Sequence, residues 1–103
     1  NMPFDWFDAS SAVQFGESLA QFFIERIPSD PTTMKGKSAN KQLAKQFDVI
    51  DKMYLLIEQF RLNNKLNIYR KAKLGSAFKF KLIHAGYNPA LVDSVTRGLL
   101  QKL

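Results

Sequence analysis

The chain has 103 residues, a net charge of +6, no cysteine and one histidine. This length fits one domain with a core of its own. Without cysteine the chain has no disulfide, thiol nucleophile or thiolate metal site, and the lone His84 excludes a histidine pair or a multi-histidine metal site within one copy. We therefore expect a protein that is not an enzyme and that holds no cofactor or metal.

No stretch of the sequence approaches the roughly 20 apolar residues that span a bilayer, and residues 1–8 lack the basic and apolar regions of a signal peptide. These observations predict a cytoplasmic location. Asn1, which precedes Met2, is typical of a residue left by an expression tag, so the predicted domain covers residues 2–103.

Charge is distributed unevenly along the chain. Residues 1–34 carry a net charge of −4 and the remaining residues carry +10. Between Glu58 and Asp93 there is no acidic residue, whereas seven lysines and arginines fall there. A positive field of this kind attracts phosphates, anionic lipids or an acidic protein face.

The first predicted helix begins after Asp8, whose side chain suits an N-cap, and ends at Pro28. Spacings of three and four residues place its apolar side chains on one buried stripe, formed by Ala12, Phe15, Leu19, Phe22, Phe23 and Ile27. Residues 28–40 are rich in Pro, Ser, Thr, Asp, Gly and Lys, a composition that predicts a flexible loop.

The second predicted helix runs from Ser38 or Asn40 to Asn63. Its apolar stripe is predicted from spacings of three and four residues: Leu43, Phe47, Ile50, Tyr54 and Ile57. Asp48 and Lys52 are spaced as an exposed ion pair rather than as a catalytic site. Asn63, Asn64 and Asn67 make a turn that can cap the next helix.

The third predicted helix covers about residues 68–85, and Gly86 suits the left-handed position after its end. Its apolar residues cover more than half of the circumference, so we expect it to be the central helix: Ile68, Tyr69, Ala72, Leu74, Phe78, Phe80, Leu82 and Ile83. Gly75 is unfavourable inside a helix and predicts that another backbone crosses closely there.

The fourth predicted helix has Asn88 as N-cap and Pro89 at its first position, where a missing amide hydrogen costs nothing. Its inward stripe comprises Val92, Val95, Thr96, Leu99 and Leu103. No segment shows the alternation of a strand. The sequence therefore predicts an all-α fold, a compact four-helix bundle with a flexible loop between helices one and two.

The main candidate binding surface is a strip of helix three that we call the basic ridge. It carries Arg70, Lys73, Ala77, Lys81 and His84 in register, and Lys65 in the preceding turn widens it. The ridge has two interpretations, which the sequence leaves open. It is either the solvated face of a helix buried on its other sides or a surface that contacts phosphates.

The turn between helices three and four resembles a helix-turn-helix motif in the spacing of Leu82, Gly86, Val92 and Val95. The resemblance covers about twenty residues, and it implies that helix four would read DNA. The first turns of helix four offer Pro89 and Asp93 rather than Arg, Lys or Gln, so a plain helical hairpin is the favoured interpretation.

A second candidate surface is the short aromatic and acidic segment at the start of the chain, with Phe4, Trp6 and Phe7. Such a segment can dock into the groove of a partner. Phe7 precedes the predicted N-cap, however, so packing of this segment back onto the first helix is favoured. Exposure of Trp6 would reverse that preference.

Together these patterns favour a protein interaction module, with self-association as one form of it, in which acidic helix one of one copy faces the basic ridge of another. A nucleic-acid-binding domain that uses the ridge is the alternative. We expect no small-molecule substrate. Helix three is too apolar around its circumference to lie on a membrane surface, so a membrane partner is not expected.

Overall fold

The computed structural model describes residues 6–30 and 39–103. Within these residues the chain forms four helices and no strand, which confirms the all-α prediction: α1 Ser10–Arg26, α2 Ala39–Asn63, α3 Ile68–His84 and α4 Pro89–Lys102. Residues 31–38, which make up most of the predicted flexible loop, lie outside the described residues. Asn1 and Phe4 lie outside them as well.

Helices α1 and α3 run parallel and form the most extensive helix pair. At one end of the pair the Arg70 side chain donates to the Asp8 carbonyl, and at the other end the Tyr87 hydroxyl donates to the Ile27 carbonyl. Helix α4 packs on α3, and α2 packs on α1 and α4. Because α2 and α4 run opposite to α1 and α3, the N-terminus of α1 and the turn between α2 and α3 lie at the same end of the bundle.

The core contains side chains from all four helices. Its largest fully buried members are Phe23, Phe78, Leu19, Met53, Ile57, Leu74, Leu82, Leu99, Val49 and Val92. On α3 the buried stripe is narrower than predicted, because Ile68, Ala72 and Phe80 are exposed. The prediction that α3 is the central helix agrees with its contacts to both α1 and α4.

At Gly16, α1 approaches the backbone of α3 closely. A Cβ atom at this position would collide with the backbone oxygen of Leu74 and lie 3.2 Å from Cβ of Ala77. The prediction of a close backbone crossing at Gly75 was wrong, because a Cβ there would meet only the side chain of Leu100, at 2.9 Å. Both glycines therefore lie at a contact between two helices, but only Gly16 lies against the backbone of the neighbouring helix.

The predicted ends of α3 and α4 are confirmed. The Asn67 side chain accepts from the Arg70 amide at 2.8 Å, and the Asn88 side chain accepts from the Ala90 amide at 2.8 Å. Gly86 has φ of 93°, the left-handed conformation that ends α3.

The start of α1 differs from the prediction by one residue. The N-cap is Ala9, and the Asp8 carboxylate instead accepts from the Ser10 amide at 3.1 Å and from the Ser10 hydroxyl at 2.8 Å. These two hydrogen bonds, helped by the charge of Arg70, lower the pKa of Asp8. Asp8 still accepts a hydrogen bond from an amide in the first turn of α1, although Asp8 lies one residue before the N-cap.

The buried face of α2 is rotated relative to the prediction. Burial involves Val49, Met53 and Ile57, whereas Leu43 and Phe47 of the predicted stripe are exposed. The apolar residues of α2 form two overlapping stripes that are rotated by about 100° around the helix. The second stripe is buried from the fourth turn of the helix onward, whereas Ile50 and Tyr54 of the predicted stripe are half-buried at the edge of the core.

Candidate functional site

The basic ridge does not form one solvent-facing surface, which corrects the geometry expected from the sequence. Arg70 is half-buried, and it donates from Nε to the Asp8 carbonyl at 2.9 Å and from Nη1 to the Lys65 carbonyl at 3.1 Å. These bonds join the N-terminal segment and the turn before α3 to the helix. Arg70 is therefore part of the scaffold.

The middle of the predicted ridge lies beside α1. Ala77 faces Gly16, and Lys81 is half-buried where it lines a surface cavity with Glu17 of α1. Acidic helix one and part of the ridge therefore border the same cavity within one chain. The helical wheel placed these residues on one strip, but the wheel does not tell which neighbouring helix covers the strip.

The exposed side of α3 is rotated around the helix relative to the basic ridge and shares Lys73 and His84 with it. We call this side the α3 outer face. It comprises Tyr69, Lys73, Ser76, Phe80 and His84. Phe80 is 55% exposed, and the Lys73 Nζ atom lies 5.7 Å from the ring centroid of Tyr69. Sequence reasoning assigned Phe80 and Tyr69 to the core, although Lys73 and His84 at offsets of seven and four residues from Phe80 marked a solvent-facing side.

The N-terminal aromatic residues pack on α3 rather than on α1. The rings of Trp6, Phe7 and Tyr69 form a triangle with centroid distances of 5.0, 5.5 and 6.0 Å. The Asn67 side chain donates to the Trp6 carbonyl at 2.9 Å. Trp6 is nevertheless 44% exposed and Phe7 61% exposed. The expected packing onto the first helix was wrong, and both rings are accessible to a partner.

A further exposed surface, the α2 outer face, was missed by sequence reasoning. Its exposed residues are Leu43, Phe47, Asp51, Leu55 and Glu58, all on the side of the helix opposite Val49 and Met53. Phe47 is 62% exposed. The surface joins apolar side chains to carboxylates, and it lies on a helix that neighbours cover on one side only. The signal for it was the first of the two apolar stripes of α2.

The turn between α3 and α4 contributes its apolar residues to the core. Leu82, Val92 and Val95 are buried, and Asp93 pairs with Arg97 at 3.0 Å. Burial of these positions is expected of a helical hairpin and of a helix-turn-helix motif alike. Residues 6–30 and 39–103 contain no group of three or more His, Cys, Asp or Glu side chains placed to hold a metal. Over the same residues, no helix combines the length and the apolar character needed to cross a membrane.

The predicted pair of Asp48 and Lys52 is confirmed, with 3.1 Å between carboxylate and ammonium on the surface of α2.

Comparison of the chain with protein-family models, with curated proteins and with solved structures finds no match. The candidate surfaces are therefore judged on their own chemistry.

Proposed function

We propose that the chain is a non-enzymatic protein interaction module that self-associates, with the α2 outer face of one copy packed on the α3 outer face of another. The observation that carries the proposal is the exposed apolar and acidic face of α2, with Phe47 at 62% exposure. Large apolar side chains grouped on one side of a surface helix are typical of an interaction surface.

Charge complementarity favours a second copy as the partner. The α2 outer face carries the carboxylates Asp51 and Glu58, of which Glu58 also lies 3.7 Å from Arg61, and the α3 outer face carries the ammonium of Lys73. Each face also has an exposed aromatic ring, Phe47 on α2 and Phe80 on α3. Apolar contact would supply affinity, while the opposite charges would set the register and disfavour pairing of like faces.

The two faces lie on opposite sides of the bundle, because α2 and α3 share no helix contact within the described residues and each face points away from the core. The α2 outer face of one copy therefore packs on the α3 outer face of the next in a head-to-tail contact. Such a contact extends to further copies or closes into a ring, so the mass of the assembly should rise with concentration.

Sedimentation equilibrium tests this proposal with Phe47→Glu. Burial of a Phe side chain contributes about 1.5–3 kcal/mol, and since Phe47 is already partly covered, its loss is expected to weaken association about tenfold or more. Gln59→Glu on α2 adds the same charge outside the α2 outer face and is expected to leave association unchanged. A wild-type chain that remains monomeric at all accessible concentrations would refute the proposal.

Nucleic-acid binding remains the second candidate, and the α3 outer face is the observation that favours it. An exposed ring on the same helix face as a cation, as Phe80 is with Lys73, can stack on a base while the cation contacts a phosphate. Fluorescence anisotropy with single-stranded and duplex oligonucleotides should show binding at low salt that weakens steeply as salt rises. Lys73→Glu is the variant that tests this candidate. Arg70 is left unchanged, because its side chain donates hydrogen bonds to backbone carbonyls within the bundle. No binding at low salt would exclude this candidate.

A further inference from the structure

One end of the bundle collects exposed apolar side chains from separate parts of the sequence. We call this end the bundle tip. It is formed by residues 6–9, the end of α2 and the start of α3. The Asn67 side chain bonds to the Trp6 carbonyl, and Arg70 bonds to the carbonyls of Asp8 and Lys65. These hydrogen bonds therefore hold the N-terminal residues and the turn before α3 in place on the bundle.

The apolar side chains of the tip are among the most exposed in the described residues. Leu62 and Ile68, which flank the turn between α2 and α3, are each 77% exposed. Trp6 and Phe7 lie against Tyr69 in the first turn of α3. These residues lie together at one end of the bundle.

Basic side chains surround these apolar residues. Arg61, Lys65 and Lys71 line a cavity of about 450 Å³ together with Leu62, and Lys73 lies over the Tyr69 ring. Two acidic side chains of the described residues near this end have partners within the chain. The Asp8 carboxylate accepts from Ser10, and Glu58 pairs with Arg61 at 3.7 Å.

We propose that the bundle tip docks on an anionic lipid surface. Trp and Tyr rings favour the boundary between lipid headgroups and acyl chains, and lysines near that boundary attract anionic headgroups. Leu62 and Ile68 enter the headgroup region, while Lys65 and Lys71 contact phosphates. The expectation against a membrane partner considered helix three lying flat on the surface, whereas the tip meets the surface end-on.

Fluorescence of Trp6, the only tryptophan of the chain, reports this docking directly. The full chain is titrated with vesicles of phosphatidylcholine containing phosphatidylserine and with vesicles of phosphatidylcholine alone. The proposal predicts a blue shift of the emission and protection from acrylamide with the anionic vesicles. An emission spectrum that the anionic vesicles leave unchanged would overturn it.

Variants separate the tip from the rest of the surface. Lys65→Gln is expected to weaken vesicle binding about fivefold, since each cation near an anionic surface contributes about that factor. Leu62→Ser with Ile68→Ser should weaken it further, with an unchanged helical circular dichroism spectrum. Leu43→Ser, an exposed leucine of the α2 outer face, is the matched control and should bind vesicles like the wild type.

The same variants distinguish this proposal from the proposed self-association. Leu43→Ser should weaken self-association and leave vesicle binding intact, whereas Ile68→Ser alone should do the opposite, because Ile68 lies outside both outer faces and Leu62 continues the α2 outer face. If the tip variants bind anionic vesicles as tightly as the wild type, the proposal is wrong. Equal binding to vesicles with and without phosphatidylserine would also contradict it.

Discussion

Alanine at Gly16 tests whether the packing of α1 on α3 determines the stability of the bundle. Two effects of opposite sign compete in this variant. Replacing glycine by alanine inside a helix stabilises the helix by about 1 kcal/mol. The new methyl group, however, would collide with the backbone oxygen of Leu74 and press on Ala77 at 3.2 Å. A backbone oxygen cannot rotate away as a side chain can, so the two helices must separate.

Overpacking of a tight interface costs about 1–3 kcal/mol and occasionally more. For Gly16→Ala we take the upper end of this range, because α1 and α3 form the most extensive helix pair. After subtraction of the helix propensity gain, the free energy of unfolding should fall by about 2 kcal/mol. The midpoint of thermal unfolding should then fall by about 10 °C.

Gly75→Ala is the matched control, also in mid-helix. Its new methyl group would meet Cδ2 of Leu100 at 2.9 Å, and the Leu100 side chain is partly exposed and can change rotamer. The rotamer cost and the propensity gain nearly cancel, so the stability should change little. Urea unfolding followed by circular dichroism measures both variants. Our reasoning would be refuted if Gly16→Ala were as stable as the wild type, or if Gly75→Ala lost as much stability as Gly16→Ala.

Further predictions concern single polar groups. The buried Thr96 hydroxyl has no hydrogen-bond partner, so Thr96→Val should raise the free energy of unfolding by about 1 kcal/mol in urea melts, and a loss would contradict this. Tyr87→Phe removes the bond to the Ile27 carbonyl and should lower stability by about 1 kcal/mol. Burial raises the pKa of Tyr87 above 10.0, so the wild type should lose stability above about pH 10, when only the unfolded chain releases this proton. Tyr87→Phe should lack that part of the alkaline loss, and an identical pH profile would argue against it. Asn88→Ala removes the α4 N-cap and should cost about 1 kcal/mol in thermal melts, an effect that a mimic such as Asn88→Ser should largely prevent.

The helix ends could be predicted because local chemistry determines them. Asn67 and Asn88 offer side-chain oxygens to free amides, Pro89 suits the first helical position, and Gly86 adopts a conformation that other residues avoid. Each of these signals acts within four residues of the chain. They require no knowledge of which helix packs on which.

The exposed faces could not be predicted reliably, because they depend on which helices pack together. In α2 two apolar stripes overlap, and the sequence does not tell that Val49 and Met53 face the core while Phe47 faces outward. In α3 the wheel grouped Arg70 with Lys73, although the fold uses Arg70 to bind the Asp8 carbonyl. The candidate surfaces on α2 and α3 therefore required the structure.

The central claim is that the α2 outer face of one copy packs on the α3 outer face of another, and charge exchange tests it most directly. One variant carries Asp51→Lys and Glu58→Lys, and a second carries Lys73→Glu and His84→Glu. Each variant alone brings like charges together and is expected to remain monomeric at 11.8 kDa. In a mixture the contacts between the two variants regain opposite charges, so light scattering should report a mass well above that of one copy. A mixture that stays monomeric, while the wild type associates, would contradict the account.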